Sequence, residues 1–174
     1  MAQPAPPSIH DSGESALDSL TTILSAHGKV VRGPRSGRNA AKIADLGFTP
    51  TGAPAEIPLE VKKTGKSVPQ MRPLAFKGVV VWKPPTLSEP AQWWVIPPDE
   101  LLDLATRHAG QHCASSFECM NPGSPSMAWS KWISSANDLA ERITAAHAKG
   151  QSSSLKTLAD EMRKEIQDLW YKHK

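Results

Sequence analysis

Asp45, Glu60 and Lys62 are the residues of this 174-residue chain whose types and spacing could do chemistry together. Two carboxylates can share a divalent cation, and a nearby ammonium can position an attacking water and offset charge gathering on a phosphate. Side chains two residues apart on a strand point to one face. The run Leu59-Glu60-Val61-Lys62 therefore sets acid and base side by side while Leu59 and Val61 turn into a core. The predicted chemistry is Mg²⁺-dependent phosphodiester hydrolysis, with Asp45 and Glu60 on the metal and Lys62 beside it. Singly, each has an ordinary explanation: Asp45 as a turn acid, Glu60 and Lys62 as a surface pair, Lys63 as a solvent charge. Jointly they point to one centre.

Upstream lies Val30-Val31-Arg32-Gly33-Pro34-Arg35-Ser36-Gly37-Arg38, which cannot easily continue regular structure past Gly33. Its two glycines let backbone approach a phosphate, and Arg32, Arg35, Arg38 and the Ser36 hydroxyl can donate hydrogen bonds to one. A plain solvent-exposed turn has the same composition, but this one sits between a helix and two acid-bearing strands. Charge agrees with DNA contact: between Gly28 and Lys83 eleven Lys and Arg stand against three acids, although the whole chain carries only +3.

With these residues in view, the chain resembles the PD-(D/E)XK nuclease superfamily, and within it the archaeal-type Holliday junction resolvases. The resemblance rests on Gly13 and Glu14 leading an amphipathic helix, on residues 28–37, on Asp45, and on the apolar strand 57–62 ending in Glu-x-Lys. It runs over residues 11–105, with Ala44 where the family has Pro before its Asp. It implies a restriction-endonuclease-like core, endonucleolytic cleavage of branched DNA, and Mg²⁺ as cofactor with Mn²⁺ able to substitute. It also makes Glu14 a further catalytic and metal-binding acid; from the residues alone, a first-turn helix acid serving the dipole is an equal reading. Lys63 joins the DNA-binding cations. Gln70 falls in a segment that the family folds as a helix after the catalytic strand, where it could extend the hydrogen-bond set or stand as a surface amide. A sequence-specific restriction or homing endonuclease is the alternative, and a non-cleaving DNA-binding or assembly protein the third.

The elements that must position these residues follow from periodicity. Residues 1–10 are rich in Pro and Ala and read as a flexible lead. Apolar Ala16, Leu17, Leu20, Ile23 and Leu24 predict an amphipathic helix over 14–27, stopped by Gly28. Strands are predicted over 29–32, 42–48 carrying Asp45, 55–63, 78–82 and 92–96, the second and third as antiparallel neighbours. Pro98 opens a helix with Asp99 and Glu100 in its first turn. The fold class is α/β, a mixed and mainly antiparallel sheet flanked by helices. Trp82, Trp93 and Trp94 could stack on bases, but strand alternation favours core packing.

Residues 11–108 then form the nuclease core, and 109–174 a linker with a helical extension, predicted as helices over 134–148 and 155–171. One strand break per centre suggests a two-fold homodimer, with Leu158, Met162, Ile166 and Leu169 as a candidate interface. No apolar run approaches the ~20 residues of a membrane span, and residues 1–7 lack the features of a secretory signal, so a soluble intracellular protein without a membrane partner is expected. Cys113 and Cys119 are too few for a disulfide scaffold; with His108 and His112 they match no common zinc spacing and read as reduced thiols.

Overall fold

The computed structural model describes residues 14–33, 44–65, 68, 71, 78–107, 124–151, 157, 161 and 164. Six strands form one sheet in chain order: β1 (Gly28–Arg32), β2 (Leu46–Pro50), β3 (Ile57–Lys63), β4 (Gly78–Lys83), β5 (Gln92–Ile96) and β6 (Ile133–Ser134). All neighbours are antiparallel except β3 and β4, which run parallel. A parallel step requires a crossover. Within that connection Val68 and Met71 are buried with Val79 and Val81.

Helices α1 (Glu14–Ser25) and α3 (Leu139–Gly150) cover one face, and α2 (Pro98–Arg107) with a 3-10 helix (Met127–Trp132) covers the other. Helix α1 forms because Ala16, Leu20 and Leu24 recur every four residues and bury one stripe against Phe48 and Leu59. Its exit is tight: a Cβ on Gly28 would stand 2.1 Å from the Thr49 carbonyl oxygen. Strands β4 and β5 are buried on both sides, which is why they read as unbroken apolar runs. Val80, Trp82, Trp93 and Val95 face α1 and α3, whereas Val79, Val81, Trp94 and Ile96 face α2. Adjacent Trp93 and Trp94 are therefore both in the core. Trp94 meets Trp129 edge-on at 6.4 Å, and Trp129 meets Trp132 at 5.3 Å.

Most boundaries lie within two residues of the expectation, and two starts differ by more. Strand β2 starts at Leu46, so Asp45 precedes it. The predicted helix over 134–148 begins only at Leu139, because Ile133 and Ser134 pair with Trp94 and Trp93 as a sixth strand. Ser135 then turns the chain, its hydroxyl bonding the Asp138 carboxylate at 2.7 Å. Residues 133–134 join the sheet, and Leu139 and Ile143 of α3 lie in the same core as Leu20 and Phe48. Ile143→Ala is expected to cost about 2–5 kcal/mol in a denaturant titration, as a core truncation does; an unchanged midpoint would make α3 an appendage.

Thr157, Glu161 and Lys164 are helical and exposed, on one face by their spacing. Leu158, Met162, Ile166 and Leu169, the 1–10 lead, and His108, His112, Cys113 and Cys119 lie outside the described residues. Among the described residues no helix is long and apolar enough to cross a membrane.

Candidate active site

The β2–β3 ladder ends at Leu46 opposite Leu59, and Asp45 takes over from there. Its N–H donates to the Leu59 carbonyl at 2.9 Å, and its carboxylate Oδ2 accepts the Val61 N–H at 2.8 Å. Asp45 thus grips β3 on both sides of Glu60. A side chain replaces the next backbone acceptor, which is why the regular strand starts one residue later. On its other side, Asp45 accepts the Gly33 N–H at 3.0 Å through its carbonyl.

Strand alternation places Leu59 and Val61 against the α1 core and leaves Glu60 and Lys62 on the opposite face, in register with Val79 and Val81. There the Lys62 ammonium lies 2.7 Å from Glu60 Oε1. The Glu60 side chain is only 8% exposed and that of Lys62 20%. A carboxylate this buried persists because a cation accompanies it. The expected side-by-side acid and base are therefore brought together, with Asp45 hydrogen-bonded to the strand at their level.

The other expected residues take different places. Glu14 and Arg32 sit on the α1 side, where Arg32 pairs with Glu14 at 3.4 Å and with Asp18. Arg32 is thus charge-compensated within the protein and is not an uncommitted phosphate donor. Lys63 also turns to the α1 side, 3.3 Å from the Ser15 hydroxyl and 5.8 Å over the Trp82 ring. Among the described residues no three of Asp, Glu, His and Cys gather as a group able to hold a metal ion, so Glu14 does not join Asp45 and Glu60. The reason is topological: α1 packs on the face away from Glu60. Gly33 has its own explanation, since a Cβ there would lie 1.9 Å from the Ala44 carbonyl oxygen. Its bare backbone allows this close approach to Ala44. Arg35, Ser36, Arg38 and Gln70 lie outside the described residues.

The chain matches no family model, no curated protein and no solved structure. What the site can do is set by its donor chemistry. Mg²⁺ takes oxygen ligands and commonly uses one or two carboxylates, completing its shell with water and substrate phosphate. Asp45 engages one carboxylate oxygen with Val61 and Glu60 one with Lys62, so each keeps a second oxygen for a hard cation. The donor set fits that metal with two acids.

Sequence reasoning missed Asp18, the second acid on Arg32; its signal was a spacing of four from Glu14 on one helix face. A cavity of about 310 Å³ opens elsewhere, beside β5 among Glu100, Lys131, Trp132, Arg142 and Lys149. Burial alone would raise the Glu100 pKa, but hydrogen bonds from Lys131 and Trp132 and the charges of Lys131 and Lys149 hold it below the ordinary value. That carboxylate ties α2 to the 3-10 helix and to α3, and its charge is spent on the fold.

Proposed function

We propose that the protein is a Mg²⁺-dependent DNA endonuclease that acts on branched DNA such as Holliday junctions. The observation that carries this reading is the buried Glu60 paired with Lys62, on a strand that Asp45 holds at Leu59 and Val61. Asp45 and Glu60 would hold the cation, which supplies an activated water and Lewis acidity toward a phosphate oxygen. Lys62 keeps its ammonium next to that centre and offsets negative charge on the phosphate as the bond breaks. The basic bias of residues 28–83 favours a polyanion as substrate. A mixed sheet between helices supports the reading at the level of fold class, whereas the restriction-endonuclease-like core and the preference for branched DNA rest on the resemblance.

Incubation of four-way junctions and linear duplexes with Mg²⁺, followed by mapping of the cut positions, tests the reading. Paired nicks near the branch support it. Cuts at one sequence in linear DNA would make it a sequence-specific endonuclease, and binding without cuts a DNA-binding protein. A homodimer, expected because two strands must be cut, should sediment as such at micromolar concentration. Arg35 and Arg38 carry a further prediction. Replacing both with Ala should weaken DNA binding and flatten its log-log salt dependence by roughly one unit per lost phosphate contact; an unchanged slope would place them away from DNA.

A further inference from the structure

On the sheet face turned toward α2, the register sets Lys62, Val81 and Trp94 in one row and Lys83 and Gln92 in the next. Thr64 follows Lys62 by two residues and donates its N–H to the Trp82 carbonyl at 2.8 Å, so it continues β3 into that second row. A cavity of about 190 Å³ opens there, walled by Thr64, Lys83, Gln92, Trp94, Ser124 and Pro125. Its start lies about 7 Å along the strand from Lys62. That is close to the reach from a phosphate to the base of the same nucleotide.

The chemistry of the wall decides what fits. Lys83, the cavity's only cation among the described residues, is paired with Glu89 at 2.5 Å, so the described wall offers little free charge to a phosphate. It offers neutral hydrogen-bonding groups instead: the Gln92 amide and the Thr64 hydroxyl. Thr64 is 1% exposed and its Oγ1 has no hydrogen-bond partner. Buried hydroxyls are almost always satisfied, and an orphan in a pocket wall is a donor and acceptor awaiting one. Trp94 and Pro125 add flat apolar surface.

Resting on the nuclease reading, we propose that this cavity takes one unpaired nucleobase of the DNA substrate, held by Thr64 and Gln92, while the phosphate attached to that nucleotide lies at Glu60 and Lys62. Extruding a base costs least where it is already unpaired, so the pocket selects DNA with bulges or open branch points. The test measures binding by fluorescence anisotropy in EDTA, with a duplex carrying one unpaired adenine and a fully paired duplex of equal length. The wild-type protein should prefer the bulged duplex about tenfold. Thr64→Val keeps the shape and removes a hydroxyl that has no partner in the free protein, so the melting temperature should not fall. This variant and Gln92→Ala should lose the preference and bind paired duplex as before. Equal wild-type affinity for the two DNAs, or a preference that survives both variants, would overturn the proposal. If Mg²⁺ then still supports cleavage, only the pocket assignment fails; if neither DNA is bound or cut, the nuclease reading fails with it.

Discussion

Asp45→Asn and Glu60→Gln are each expected to lower DNA cleavage by roughly a thousandfold or more, about 4 kcal/mol of lost transition-state stabilisation. Both substitutions remove a negative metal ligand while preserving shape. Asn at position 45 still offers a carbonyl oxygen to the Val61 N–H, and Gln at position 60 still offers one to Lys62. The fold should therefore hold, and DNA binding measured in EDTA should change little, because neither carboxylate attracts a phosphate once the metal is chelated. Single-turnover cleavage of a labelled junction at saturating protein, alongside the melting curve of each variant, reads the outcome. Wild-type turnover by either variant would remove the pair from the reaction.

Lys62→Met separates charge from metal. The thioether side chain fills the same space but leaves Glu60 without its cation. A buried acceptor stripped of its partner costs about 1–3 kcal/mol, toward the lower part of that range here since the pair retains some contact with solvent. Cleavage should fall by about a hundredfold or more, as when one preorganised charge-stabilising group is deleted. Metal binding should survive, because the ammonium no longer competes for Glu60, and added Mg²⁺ or Mn²⁺ should restore part of the lost stability through binding linkage. Calorimetry that finds no metal binding by this variant would contradict the separate roles of the acid and the base.

Much of the frame was legible because it depends on local pattern. Alternation of Leu59 and Val61 with Glu60 and Lys62 put the acid and base on one face of β3, and spacings of four put Ala16, Leu20 and Leu24 on one stripe of α1. Pro98 with two acids marked the start of α2, and the apolar runs of β4 and β5 marked the centre of the sheet. Ile133 and Ser134 were not legible as a strand. Two residues carry no period, and only the open edge of β5 makes them pair.

From the amino-acid order alone, residue spacing placed Glu60 beside Lys62, since a strand repeats every two residues whatever surrounds it. Tertiary structure decided which distant residues share that face. Glu14, Arg32 and Lys63 are close in pattern to the acidic pair, yet the packing of α1 sends them to the other side of the sheet, where Arg32 meets Asp18 and Lys63 meets Ser15. Asp45 reaches the strand at Glu60 only because the β2–β3 ladder stops at Leu46 and leaves the Val61 N–H for a carboxylate. The row of Thr64, Lys83 and Gln92 exists only through a parallel pairing of β3 with β4 and an antiparallel one with β5. Side-chain periodicity is local and can be read along one strand, whereas register between strands is set by which apolar faces bury each other across the whole sheet.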